Sequence, residues 1–105
     1  MDLLAVQKLQ KYSPSDIYFL KSSWRQYLRE GRADIIQKRK GLNLQCVYAL
    51  FDLSKLFDLR KISPDQERYV AILRHSPRYK LEIFFIFDTP EEGKLGIITY
   101  IKSKI

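Results

Sequence analysis

The chain has 105 residues, of which 46% are hydrophobic and 13% aromatic, so it can fold without disulfides or metal. It is too short for two ordinary domains, and we expect a single domain over residues 1–105. Cys46 is the one cysteine and His75 the one histidine, which excludes an internal disulfide and a zinc site built from these residue types. We expect no metal and no cofactor.

The charge of the chain predicts its kind of partner. Nineteen Lys and Arg against twelve Asp and Glu give a net charge of +7. This excess favours nucleic acid over a membrane surface, because the basic stretches lack a separate apolar face for insertion. No run of about 20 apolar residues is present, and the start MDLLAVQKLQK lacks the apolar core of a signal peptide. We therefore expect a cytoplasmic protein without a membrane span. For the net charge, the plainer alternative to a nucleic-acid partner is that the charge serves only solubility.

The first half, about residues 2–56, shows helical spacing. Residues 2–11 place Leu3, Val6 and Leu9 or Gln10 on one side, which predicts a short helix. A second helix is expected after a cap at Ser13 or Ser15, and Gly31 would end it. The apolar face of this second helix would contain Ile17, Leu20, Trp24, Tyr27 and Leu28.

Two further segments complete the helical half. RADIIQKRK is either a short basic helix or a surface loop. Asn43 can cap a later helix, which we expect to be the central core helix. Its apolar stripe would contain Cys46, Val47, Leu50 and Phe51, and an extension over Ser54 to Phe57 is left open.

After about Phe57 the apolar residues recur with a period of two, which predicts strands. A weak strand is expected at residues 57–62, and stronger strands in RYVAILRH, YKLEIFFIF and KLGIITYIKSK. Because the intervening turns are short, residues 57–104 predict an antiparallel sheet of three to four strands. The fold class is α+β, with N-terminal helices packed on one face of the small C-terminal sheet.

The alternation within these strands predicts a free sheet face. Leu81, Ile83, Phe85 and Phe87 form a wholly apolar side of the middle strand, opposite a mixed side. If the last strand pairs with the middle one, that free face would carry Lys80, Glu82, Tyr100 and Lys102.

The turn before the middle strand decides which further residues join that face. A two-residue turn at Pro77 and Arg78 would place His75 opposite Lys80 and would add Tyr69 to the face. A change of one residue in the turn exchanges Arg74 and His75, so both stay open.

Three features resemble one known group of proteins. They are the helix and basic end GLNLQCVYALFDLSKLFDLRK, the aromatic-rich strand Tyr79–Phe87, and a last strand that closes with Tyr-Ile-Lys-Ser-Lys. Over about residues 34–104 this order resembles the RelE-like ribonuclease toxins and, somewhat more, their MqsR-type relatives. The chain departs from the MqsR-type pattern where Ala71 or Ile72 stands in place of a strand glutamine.

The resemblance implies a protein that cuts messenger RNA without metal and that an antitoxin protein holds silent. It matches Lys61 to the basic residue after the core helix and Tyr79 to the tyrosine that opens the middle strand. It also matches Lys102 to the lysine near the terminus.

Metal-free RNA cleavage needs a group that takes the 2′-hydroxyl proton, cations for the phosphorane, and a donor for the leaving oxygen. The catalytic candidates are Glu82, Tyr79, His75, Lys102 and Lys61. The candidates for binding RNA phosphate are Arg74, Arg78, Lys80, Tyr100 and Arg60. We therefore predict a metal-independent endoribonuclease of the toxin type.

Plainer interpretations stand beside this one. Glu82 would serve only in a cross-strand ion pair, His75 as a solvated turn residue, and Lys102 as protection of a sheet edge. The alternative functions are a non-catalytic nucleic-acid-binding protein of viral or plasmid type, and a subunit that binds a protein partner through an apolar patch at Phe84 and Ile86. A homodimer is left open.

Overall fold

The computed structural model describes residues 1–20 and 44–105. In the first range, α1 (Leu3–Leu9) is followed by a 3₁₀ turn (Pro14–Asp16) and β1 (Ile17–Phe19). The second range begins with α2 (Leu44–Val47) and two 3₁₀ turns (Tyr48–Phe51 and Leu53–Lys55). It continues with β2 (Leu56–Lys61), β3 (Tyr69–Arg74), β4 (Tyr79–Phe87) and β5 (Leu95–Lys104).

The strands form one mixed sheet in the order β1-β5-β4-β3-β2. The antiparallel run from β2 to β5 confirms the predicted α+β class and the succession of strands. The described sheet has five strands, so the prediction of three to four is wrong. The additional strand is β1, which pairs in parallel with β5 and sets Ile17 opposite Leu95.

The segment after Ser13 corrects the prediction of a second helix. The Ser13 N–H donates to Asp16 Oδ2 at 2.9 Å, but the capped segment is only a single 3₁₀ turn. Ile17, Tyr18 and Phe19 then join the sheet, as their β-branched and aromatic side chains favour. The other predicted helix residues, Trp24, Tyr27, Leu28 and Gly31, lie outside the described residues, as do RADIIQKRK and Asn43.

The predicted core helix is a short α-helix that continues as 3₁₀ turns. Val47 and Leu50 are fully buried in it, whereas Cys46 and Phe51 are half-buried, so the predicted stripe does face the core. A new turn begins where the Asp52 carboxylate accepts from the Ser54 N–H at 3.1 Å, which stops the helix before residue 56.

One sheet face and the N-terminal helix enclose the core. Leu81, Ile83, Phe85 and Phe87 are buried, which confirms the predicted apolar side of β4. Leu9 of α1 is buried and Val6 is partly buried against this core, as predicted, whereas Leu3 is 69% exposed and Ala5 is buried instead. Asp2 fixes the helix start, because its carboxylate accepts from Ala5 N–H at 3.0 Å and its own N–H donates to Leu59 O at 2.7 Å. Within the described ranges, no helix is long and apolar enough to cross a bilayer.

Candidate functional site

The turn between β3 and β4 decides which cations lie together. Tyr79 N–H donates to Ser76 O, and the N–H groups of His75 and Ser76 both donate to Tyr79 O, at 3.0 and 3.1 Å. Two donors on one carbonyl mark an extra residue on the β3 side, as in a bulge. Arg74 therefore lies opposite Lys80, and the alternative with His75 in that position is wrong.

The sheet face opposite the core is called the outer face here; Lys80, Glu82, Phe84 and Ile86 point to it from β4. Arg74 shares this face with its partner Lys80, and Lys80 Nζ lies 3.6 Å from Glu82 Oε1. Arg74 Cζ lies 5.4 Å from the ring centroid of Phe57. The outer face thus brings together two cations, the Glu82 carboxylate and one aromatic ring near the turn, and it also carries the Asp58 carboxylate opposite Ile72.

The pairing of β4 with β5 corrects the predicted set of residues on the free face. Tyr100 lies opposite Ile83 and Lys102 opposite Leu81, and directly opposed residues of antiparallel strands share a face. Tyr100 and Lys102 are therefore on the core side, away from Lys80 and Glu82. The alternation within β5 alone does not decide between two registers that differ by one residue. A shift of one residue exchanges the two faces of the strand.

Two tyrosines that were predicted for the free face lie on the core side of the sheet instead. Tyr100 has no exposed surface, and its ring centroid lies 6.3 Å from that of Phe19 on β1. Tyr69 stacks on Phe85 with centroids 5.8 Å apart, so it too is on the core side. The predicted placement of Tyr100 and Tyr69 on the free face is therefore wrong.

The end of β5 brings further cations to the β3–β4 turn. Lys102 Nζ lies 5.2 Å from the ring centroid of Tyr79, and Lys104 is the register partner of Tyr79. Ile105 N–H donates to Arg78 O at 2.9 Å, which holds the last residues against the turn. Arg78, Lys102 and Lys104 are all exposed.

These residues form what we call the cationic end of the sheet. It consists of Arg74, His75, Arg78, Lys80, Lys102 and Lys104. Within residues 1–20 and 44–105, Lys80 is the only member within ion-pairing distance of a carboxylate. The positive charge there is largely uncompensated by its described neighbours.

Two predicted site residues lie elsewhere. Lys61 is at the far end of β2, where its Nζ lies 3.3 Å from Glu67 Oε1. Arg60 Nε lies 3.2 Å from Asp58 Oδ2. Arg60 pairs with Val70, about 13 Å along β3 from Arg74 at a rise of about 3.3 Å per residue. The structure does not bring Lys61 and Arg60 to the cationic end.

The sequence pattern did not indicate a polar cluster where α1 meets the loop after β4. Tyr12 Oη donates to Asp88 Oδ1 at 2.5 Å, Lys8 Nζ lies 3.2 Å from Asp88 Oδ2, and Gly93 N–H donates to Oδ1 at 3.1 Å. Burial and the bond to Asp88 raise the pKa of Tyr12, while the Tyr12 hydroxyl and the Gly93 N–H lower the pKa of Asp88. Tyr12 and Asp88 are 76 positions apart, so no local pattern could reveal the cluster.

Two of the surface depressions that the described residues form lie at the polar cluster and on the outer face. One, of about 310 Å³, borders the Tyr12–Asp88 cluster at Lys8 and Lys11. The other, of about 350 Å³, lies on the outer face and is lined by Ile62, Arg68, Phe84, Ile98, Thr99 and Ile101. Phe84 belongs to the predicted apolar patch, and it is half-buried together with Ile86.

The described residues contain no group of three or more His, Cys, Asp or Glu side chains placed to hold a metal ion. Comparison of the chain with protein-family models, with curated proteins and with solved structures finds no match.

Proposed function

We propose that this protein binds nucleic acid through the cationic end of its sheet. The observation that carries the proposal is the gathering of Arg74, Arg78, Lys80, Lys102 and Lys104 around one turn, with Glu82 as the one carboxylate paired to any of them within the described ranges. A polyphosphate backbone supplies the opposite charge, and its binding releases counterions, which favours association at low salt.

The shape of this region also supports a nucleic acid. The cations lie on both sides of the sheet end, with Arg74 and Lys80 on the outer face and Lys102 and Lys104 on the other side. A small anion would occupy only one part of such a surface, whereas a phosphate chain can follow it around the turn. Phe57 and Tyr79 add aromatic rings beside two of the cations, as in surfaces that bind unpaired bases.

Two double variants test the proposal, and each replaces two cations with neutral glutamine. The variant R78Q/K104Q removes two cations of the cationic end, and K11Q/R60Q removes two exposed cations from elsewhere. The probe is a fluorescein-labelled RNA strand of about 12 nucleotides, a length within the site sizes of surfaces that bind single-stranded nucleic acid. Its binding is measured by fluorescence anisotropy in EDTA. R78Q/K104Q should weaken binding by at least about tenfold, and K11Q/R60Q by much less. Equal losses in both variants would contradict a site at the cationic end.

RNA cleavage without metal is a second proposal, and the placement of Glu82 favours it. Its carboxylate shares the outer face with Arg74 and Lys80, so a general base and two cations for a phosphorane lie together. His75 and Tyr79 lie at the adjoining turn as candidate donors to the leaving oxygen.

Incubation of RNA with the protein in EDTA tests the second proposal. Cleavage should leave 2′,3′-cyclic phosphate ends, spare DNA of the same sequence, and fall by at least about 100-fold in E82Q. An intact RNA strand under conditions where it is bound, or full activity of E82Q, would contradict it. The RelE-like class, the antitoxin partner, the homodimer and the cytoplasmic location stay predictions.

A further inference from the structure

Phe57 is an aromatic residue beside the cationic end, and the sequence analysis did not indicate it as a site residue. It is 46% exposed, although it lies in a strand of a sheet with a substantial core. The register between β2 and β3 shifts at this residue, from Leu56 opposite Leu73 to Asp58 opposite Ile72. Phe57 is therefore the extra residue of a bulge, and bulges commonly redirect a side chain at a sheet edge.

The ring of Phe57 belongs to the same surface as two cations. Arg74 Cζ lies 5.4 Å from the ring centroid, and Arg74 is the direct partner of Lys80 on the next strand. Since neighbouring strands lie about 4.8 Å apart, ring and cations span three adjacent strands over about 10 Å. The contact with Arg74 also restrains the ring, which lowers the entropy lost when a ligand packs on it.

We infer that Phe57 is a base-stacking platform and that the cationic end therefore selects single-stranded over duplex nucleic acid. This inference rests on the proposed binding function. Arg74 and Lys80 can contact phosphates of either form, but a duplex keeps the faces of its bases inside the stack. Apart from the two terminal pairs of a duplex, only an unpaired base can lie on an exposed ring, and stacking of this kind tolerates any sequence.

The matched control for Phe57 is Leu53, an exposed apolar residue of the preceding 3₁₀ turn. Leu53 is 43% exposed, close to the value for Phe57, and its side chain has no aromatic ring on which a base could stack. F57A removes the ring, F57L keeps an apolar side chain without a π face, and L53A removes an exposed apolar side chain of similar burial. Thermal unfolding of each variant verifies that it is folded at the binding temperature.

The probes are an RNA strand of about 12 nucleotides and the blunt RNA duplex of the same length, each labelled with fluorescein. The wild type should bind the single strand at least about tenfold more tightly than the duplex. F57A and F57L should lose about 5- to 100-fold in affinity for the single strand and change little on the duplex, while L53A should match the wild type. Equal affinity for both forms, or unchanged single-strand binding in F57A, would overturn the inference.

The outcomes separate this inference from the function on which it rests. If R78Q/K104Q weakens binding but F57A does not, the binding function stands and the stacking role of Phe57 is wrong. If neither probe binds the wild type, both are wrong. The variant F57W keeps an aromatic ring at this position and adds a fluorescent one. F57W should keep the affinity of the wild type for the single strand. The single strand should also quench the tryptophan fluorescence of F57W more than that of the wild type. Absence of that additional quenching would contradict the inference.

Discussion

Arg74 and Lys80 are direct cross-strand partners at the ends of β3 and β4, so two cations face each other across an antiparallel pair. Like charges in this position destabilise a sheet, and Glu82, 3.6 Å from Lys80 Nζ, offsets only part of the repulsion. Arg78, Lys102 and Lys104 add further positive charge at the same end. A surface built in this way stores unfavourable electrostatic energy that a bound polyanion would relieve.

The first prediction concerns the stability of the free protein in salt. Raising NaCl from about 10 mM to about 300 mM shortens the screening length from about 30 Å to below 10 Å, so repulsion at the cationic end weakens. We expect the free energy of unfolding, measured in urea, to rise by about 0.5 kcal/mol or more. R78Q/K104Q should show a smaller rise than K11Q/R60Q. A stability that falls with salt in the wild type would contradict the prediction.

A second prediction concerns the acid sensitivity of Asp88. Its pKa is lowered, first by the hydrogen bond from Tyr12 and then by Gly93 N–H and Lys8. The folded state thus binds the Asp88 proton more weakly than the unfolded chain does. The contribution of Asp88 to stability is present above the ordinary aspartate pKa of about 4, and it is lost as the pH falls through the lowered pKa of the folded state. Asp88 has a positive φ of 52°, which asparagine tolerates, so D88N keeps the backbone and an oxygen acceptor.

Urea unfolding at about pH 6 and about pH 3 measures this dependence. D88N should lose less stability on acidification than the wild type, and E91Q, in the same loop, should behave as the wild type does. The expected difference is about 1 kcal/mol or less, since the Asp88 side chain is 36% exposed and solvent screens its partners. Identical acid profiles for wild type and D88N would show that the cluster does not contribute.

A third prediction separates two glycines of the β4–β5 region. A Cβ at Gly96 would lie 2.6 Å from Thr89 O and 2.8 Å from Leu20 Cδ1, so G96A forces the backbone of the loop to move. Gly93 has nothing within 4 Å of such a Cβ, and its substitution is opposed only by the positive φ of 86°. We expect G96A to lower the free energy of unfolding by about 2 kcal/mol or more and G93A by about 1 kcal/mol. A milder effect of G96A in thermal unfolding would contradict this packing.

A fourth prediction tests whether Tyr100 is a core residue. Its side chain is fully buried among Phe19 and Ile83, so it cannot reach a ligand in the folded protein. Y100F should bind the RNA strand within about twofold of the wild type, whereas Y100A should lose about 3–5 kcal/mol of folding stability through the cavity it leaves. Weaker RNA binding by a stably folded Y100F would contradict this prediction and show that the Tyr100 hydroxyl takes part in binding.

The sequence predicted the strands well because their signal is local. The alternation of Leu81, Ile83, Phe85 and Phe87 places them on the core side whatever the rest of the chain does, and the breakers at residues 76–78 and 88–93 separate β3, β4 and β5. The three residues of β1 are too few to show a period of two, and their spacing to Leu20 also fits a helix. That strand is decided by pairing with β5, some 80 positions away.

The arrangement of the site was less predictable, because it depends on registers that differ by one residue. The bulge at His75 and Ser76 sets Arg74 rather than His75 opposite Lys80, and the pairing of β5 turns Tyr100 and Lys102 to the core side. The bulge at Phe57 likewise brings an apolar residue to a cationic surface. Each of these placements depends on which residues of two strands form hydrogen bonds with each other. The composition of either strand does not determine that pairing.

The salt dependence of RNA binding tests the central claim most directly. The logarithm of the association constant for the RNA strand of about 12 nucleotides should fall linearly with the logarithm of NaCl concentration, with a slope of about −0.7 for each phosphate neutralised. If Arg78 and Lys104 each contact a phosphate, R78Q/K104Q should reduce the magnitude of that slope by about 1.4, while K11Q/R60Q leaves it nearly unchanged. Equal slopes for the wild type and R78Q/K104Q would contradict binding at the cationic end.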